Sequence, residues 1–175
     1  MLSRLCLLGC LLFSTSAAIA ESSDTEALSK RVSAYAAAMQ SKSYEGIIDV
    51  VPTRILSMMA GLSDTDVATL KAAMIQQTQQ AIATIDVLEF EIDTRNPDYK
   101  RTSNDVPFVF LPTAAVMAVP GVGKVESSTS TLALKDGGEW FLSAIDSPQQ
   151  IAIIRQAYPG FSSIDFPSGT SKPAE

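Results

Sequence analysis

The chain has 175 residues, with 19 carboxylates against 13 cations for a formal charge of −6, and 46% of its residues are hydrophobic. Histidine is absent, and both cysteines, Cys6 and Cys10, lie near the start. These counts exclude Ser-His and Cys-His nucleophiles, imidazole zinc sites and the basic stripe that a nucleic acid partner requires.

Met1 to Ala20 reads as a secretory signal: one early cation, Arg4, an apolar run from Leu5 to Phe13, then small residues ending Ala18-Ile19-Ala20. Its uncharged stretch, Leu5 to Ile19, is shorter than the roughly 20 residues needed to cross a bilayer, so no integral membrane segment is expected after cleavage. Cleavage after Ala20 makes Glu21 the mature N-terminus and the protein periplasmic or secreted. Leu7-Leu8-Gly9-Cys10 also looks like a lipobox. With so few residues before Cys10, lipidation there is the lesser alternative. Cleavage removes both cysteines, leaving no disulfide, thiol nucleophile or thiolate ligand. Stability must then come from one hydrophobic core, and the length suits a single domain at 21–167 with a tail at 168–175.

Ser23-Asp24-Thr25-Glu26 fits a capping box, so a helix is expected to start at Ser23. Leu28, Val32, Tyr35 and Met39 recur at helical spacing on one face, and that helix should end near Ser41 to Ser43. A shorter helical pattern follows through Ile47, Ile48 and Val51 to Pro52, and another runs to a stop at Gly61. Ser63-Asp64-Thr65-Asp66 marks a further start, with Val67, Leu70, Met74, Thr78 and Ala81 as the buried stripe.

After Ala83 the period changes to two. Leu88, Phe90 and Ile92 alternate with Glu89, Glu91 and Asp93, giving a strand with one wet face. Arg95 to Asp105 reads as a polar loop. Pro107 and Pro112 break the apolar run from Val106, predicting a kink at Pro112 and a fresh strand over Ala114 to Val119. Pro120 to Gly123 turns the chain. Val125 to Leu134 and Trp140 to Ile145 then pair as a hairpin around Lys135-Asp136-Gly137-Gly138-Glu139. Ser147-Pro148-Gln149-Gln150 starts a short last helix, which Pro159-Gly160 ends, and Ser168 to Glu175 has the composition of a frayed tail. Helices, then antiparallel strands, then a short helix make an α+β domain.

At this point the chain resembles the nuclear-transport-factor-2-like superfamily, the cystatin-like α+β roll. The resemblance covers most of the mature chain. It rests on the helix ending Ala36-Ala37-Ala38-Met39-Gln40, the Val51-Pro52 break, and the late strand Asp136-Gly137-Gly138-Glu139-Trp140-Phe141-Leu142. It implies N-terminal helices packed on a curved antiparallel sheet to form a cone, often with an apolar pocket and a dimer across the sheet. The superfamily holds isomerases, hydrolases and dehydratases beside binding domains, so shape selects no activity. Its enzymes commonly use a pocket carboxylate with a tyrosine or histidine partner. This chain has no histidine, and no carboxylate matches a catalytic motif.

Asp86 is the weak candidate base, since it falls on the apolar set of its strand, and Tyr35 is the candidate donor. Glu89, Glu91 and Asp93 read as a solvated outer face. Ser127 to Thr131 places hydroxyls on both faces of its strand, and a Ser127–Lys124 pair lacks any signature. Tyr35, Met39, Met58, Met74, Phe108, Phe110 and Trp140, with Met59, are candidate pocket lining for an apolar guest and equally plain core. The leading expectation is a non-enzymatic, cofactor-free binding or accessory domain with an apolar pocket or a sheet-face surface. Its partner would be a small apolar ligand, another protein or a second copy of the chain. The alternative is a lyase or isomerase acting on a small apolar molecule through Asp86 and Tyr35, and a purely structural partner subunit is the third.

Overall fold

Gly137 and Gly138 reverse the chain between Asp136 and Glu139 with φ of 59° and 90°. Those positive angles give a two-residue turn whose twist matches the strands it joins, and that turn sets the register of everything beside it. A computed structural model of the chain describes residues 16–145 and 147–174, with side chains described from Ser23. Cys6, Cys10 and most of the expected signal therefore lie outside the described residues. In chain order the elements are α1 (Ser16–Ser41), α2 (Tyr44–Ile48), α3 (Thr53–Leu62), α4 (Val67–Ile82), β1 (Asp86–Ile92), β2 (Lys100–Arg101), β3 (Pro107–Val119), β4 (Gly123–Asp136) and β5 (Glu139–Ile145). They are followed by α5 (Pro148–Ala157), a 3-10 turn at Pro159–Phe161 and β6 (Thr170–Pro173). The fold is α+β, with N-terminal helices preceding an antiparallel sheet curled into a half-barrel and a short helix near the C-terminus. No helix among the described residues is long and apolar enough to cross a membrane.

Helix ends differ from the expectation in instructive ways. Ser23 lies inside α1 rather than capping it, because the helix-favouring Ala17-Ala18-Ile19-Ala20 upstream gives the helix no reason to stop. At the other end Lys42 takes a left-handed φ of 54°, and Ser43 N–H donates back to the Ala38 carbonyl at 2.9 Å. This is a Schellman closure without glycine. The same closure ends α3 at Leu62, one residue beyond its expected stop: Gly61 stays helical, Asp64 takes φ 50°, and Thr65 N–H donates to the Ala60 carbonyl at 3.0 Å. Asp66 then caps α4 by accepting from Thr69 N–H at 2.9 Å, which lowers its pKa. In α5 the Ser147–Gln150 capping box forms as expected. Gly46 lets α2 approach α1, since a Cβ there would stand 2.9 Å from the Ala38 Cβ.

β3 runs unbroken for 13 residues and does not kink at Pro112. The Pro112 carbonyl accepts from Asp93 N–H at 2.9 Å, so its missing donor falls on the same outer edge, just where β1 has ended. β3 pairs with β4 in continuous register from Phe108–Leu134 to Val119–Gly123. β2 and β1 lie end to end along the outer edge of β3, while β5 and β6 lie end to end along β4. The expected tail thus contains a strand: Thr170–Pro173 pairs with Val125–Ser128. Its polar, fully exposed residues carry no alternation from which a strand could be read.

The half of the sheet nearest the glycine turn is covered on both faces. Alternate residues of β3, β4 and β5 split into two cores. Phe108, Leu132, Leu134 and Phe141 pack with Ile55 of α3, Ile154 of α5 and Phe161. Val109, Leu111, Ala133, Trp140 and Leu142 pack with Leu28 and Val32 of α1. Neighbouring residues at the turn tie both layers down. Lys135 pairs with Asp24 of α1, while Asp136 accepts from the Tyr158 hydroxyl at 2.9 Å and lies 3.5 Å from Arg54 of α3. Burial and the adjacent carboxylate push the Tyr158 phenol pKa up. Arg31 of α1 donates to the Trp140 carbonyl at 2.8 Å, and Leu142 N–H donates to Val50 O at 2.8 Å, closing the outer edge of β5.

α4 stays peripheral. It packs on α2 and α3, and its expected stripe is half-buried at Val67, Leu70, Met74 and Thr78 and exposed at Ala81.

Two substitutions test this architecture by urea unfolding. Phe108→Ala, in the fully buried centre, should cost about 3–5 kcal/mol. Asp64→Gly should stabilise the chain by up to about 1 kcal/mol, because glycine removes the steric cost of the left-handed position without touching the core.

Candidate functional site

The catalytic candidates do not converge. Asp86 begins β1 with its side chain 73% exposed, and its carboxylate faces Lys42 Nζ at 3.2 Å. The same ammonium donates to the Ala83 carbonyl at 3.3 Å. A base drawn into an apolar interior was the expectation, and the exposed start of the strand places Asp86 outside it. Tyr35 meets Phe90 edge to face, with ring centroids 5.6 Å apart, and packs against the α1-side core.

The reason for the displacement is a β-bulge between Val87 and Glu89. The extra residue, Leu88, turns outward and is 48% exposed, while Phe90 and Ile92 remain on the α1 face as expected. Glu89 and Glu91 occupy the opposite, exposed face. Asp93 is clamped by Arg95, whose Nε donates to Oδ1 at 2.9 Å and NH2 to Oδ2 at 2.6 Å, with Arg95 N–H adding a third bond at 2.9 Å. These bonds hold its carboxyl down to about 2.

The expected pocket lining divides between two sides of the sheet. Phe108, Phe110 and Met58, with Met59, belong to the α3–α5 core; Tyr35 and Trp140 belong to the α1 core; Met39 and Met74 are half-buried and belong to neither core. The two-residue turn is responsible, because it pairs Trp140 with Lys135 and Phe141 with Leu134. Phe141, not Trp140, therefore shares a face with Phe108. Trp140 is 4% exposed, its ring lies 5.8 Å from Tyr99, and its N–H is buried without a partner among the described residues. The hydroxyl run divides similarly. Thr131 and Thr113 are buried on the α1 face with their hydroxyls 2.7 Å apart, Ser127 and Thr129 follow on that face, and Ser128 and Ser130 point the other way.

Two surfaces remain available for recognition. The first is the far half of the sheet, on the side opposite α1, where no helix among the described residues covers the strands. Cross-strand rows there read Glu91, Ala114, Ser128, Thr170 and then Glu89, Val116, Glu126, Lys172. Pro112, Ala114 and Ser128 are exposed and Val116 and Ala118 half-buried, so the middle is small and apolar. Carboxylates line the β1 side. On the β6 side stands Lys172, 3.2 Å from Glu126 of β4, and Lys124 lies further along β4.

The second surface is a polar cleft of about 1140 Å³ between α1 and the Arg95–Tyr99 loop. Thr25, Ser29 and Ser33 face it at intervals of four, which stacks their hydroxyls along one side of the helix. The Tyr99 hydroxyl donates to Thr25 Oγ1 at 3.3 Å and fixes the loop to the helix. Sequence reasoning passed over this cleft, although the hydroxyl spacing was visible, because nothing local places the loop against α1.

No protein-family model, curated protein or solved structure matches the chain.

The Asp93 clamp has a defined pH signature. The folded chain keeps this carboxylate ionised down to about pH 2, whereas the reference carboxyl titrates at 3.8. Its stabilisation is therefore fully present above about pH 4 and disappears as pH falls through 2. Asp93→Asn should be less stable than the parent chain at pH 6, with the difference closing by pH 2, as read from urea midpoints.

Proposed function

We propose that the chain is an exported, non-catalytic binding domain of the nuclear-transport-factor-2-like kind, whose uncovered sheet face docks a second copy of itself. The observation that carries this reading is the bare far half of the sheet. Small side chains at Pro112, Ala114, Val116 and Ser128 allow a second sheet to approach to the usual separation of about 10 Å without steric obstruction. The charges at its two margins are complementary in a particular way. A two-fold axis running along the strands lays the β1 margin of one copy, with Glu89 and Glu91, over the β6 margin of the other, where Lys172 stands beside Glu126 of β4. A two-fold across the strands would oppose carboxylates to carboxylates.

Export is supported by Arg4, the Leu5–Phe13 run and Ala18-Ile19-Ala20. Cleavage after Ala20 keeps the contacts of Asp24, Thr25 and Leu28 that hold α1 to the sheet. The lyase or isomerase alternative requires the Asp86 carboxylate to leave Lys42 and enter an apolar site, and no observation favours that.

Sedimentation equilibrium tests the docking. The exported chain should be a dimer at about 100 μM, and Ala114→Arg should make it a monomer with an unchanged unfolding midpoint. A monomer at that concentration without the substitution contradicts the reading. Intact mass should begin at Glu21, whereas a lipid-modified chain beginning at Cys10 contradicts the export route.

A further inference from the structure

We infer that the cleft between α1 and the Arg95–Tyr99 loop is a binding site for a neutral oligosaccharide, separate from the sheet face. Three features carry this. The first is uncommitted hydrogen-bonding capacity: among the described residues, the hydroxyls of Ser29 and Ser33 and the amide of Asn96 line the cleft without an intramolecular partner. Hydroxyls and an amide each both donate and accept, which is the pattern that matches a polyol.

The second feature is charge balance. Glu26 and Asp98 oppose Lys30 and Arg95 along the lining, and two of the four are already engaged: Arg95 holds Asp93 as a two-point clamp, and Asp98 pairs with Lys100 at 3.0 Å. A ligand carrying net charge of either sign meets a like charge here. A neutral one can use Glu26 as acceptor and Lys30 as donor together. The third feature is shape and an aromatic wall. The volume of about 1140 Å³ accommodates several sugar rings, and half-buried Tyr99 offers a flat surface for the apolar C–H face of one of them.

Tyr99 also provides the readout, since its ring lies 5.8 Å from that of Trp140, the single tryptophan. The full chain is titrated with maltotriose, cellotriose and triacetylchitotriose, up to about 20 mM because an open cleft of this kind binds in the millimolar range. Trp140 emission and the amide resonances of Arg95 to Tyr99 are followed together. At least one sugar should give a saturable change in both, and Ser29→Ala/Ser33→Ala should weaken it at least tenfold. Alanine favours the exposed helix, so loss of binding in that variant is not loss of folding. No saturable change with any of the three, an unchanged response in the double variant, or tighter binding of trigalacturonate than of the neutral sugars would overturn the inference.

Discussion

Lys135 and Asp136 are consecutive residues at the end of one strand, and alternation sends their side chains to opposite faces of the sheet. Lys135 holds α1 through Asp24; Asp136 holds α5 through Tyr158 and reaches Arg54 of α3. Both helical layers are thus secured at the same point, beside the Gly137-Gly138 turn. A register slip of one residue there would exchange the two faces, placing Trp140 among the α5 contacts and Phe141 against α1. The two cores exist as separate, well-filled layers because that slip is prevented.

The same geometry explains why the sheet is half covered. α3 and α5 gather at the end of β4 and β5 that carries the turn, while α1 crosses from β5 to β1, so away from the turn only the α1 face keeps helical cover. Beyond Thr113 and Ser130 the large aromatic and leucine side chains give way to alanine, serine, threonine and valine, with Met117, Lys124 and Glu126 among them. Those strands are held by pairing with β1 and β6 rather than by a core on both faces. The face opposite α1 is left open there, with small side chains at its centre, Glu89 and Glu91 along the β1 margin and Lys172 on the β6 margin. The bulge at Leu88 and the charged β1 margin meanwhile discourage uncontrolled edge pairing.

Local chemistry made much of this legible. The Asp-Gly-Gly reversal, the Pro120-Gly121 turn, the Ser147 capping box and the α+β order all follow from short stretches whose residues determine their own backbone. What was not legible depended on distant neighbours. Leu88 alternates correctly with Phe90 but is displaced by a bulge that only pairing with Met117 and Val116 creates. Lys42 and Asp64 end helices in left-handed positions where glycine is the usual cue. Pro112 reads as a break because its neighbours across the sheet are unknown from sequence. The seven candidate pocket residues looked like one set since each is apolar and large, but face membership depends on strand register. The cleft beside α1 was missed for the complementary reason: its residues are polar and ordinary, and only folding brings the loop to the helix.

An interface on the open half of the sheet with a two-fold along its strands fixes where the two hairpin tips lie. The mature chain should lack cysteine, so Val122→Cys, at the exposed tip of the β3–β4 hairpin, can carry a single nitroxide. Pulsed dipolar spectroscopy then measures the separation of tips between copies. Intermolecular coupling is expected at a short distance, on the order of 10–20 Å, because that axis brings both hairpin tips to the same end of the assembly. Absence of intermolecular coupling, or a separation spanning the length of the sheet, would contradict this arrangement.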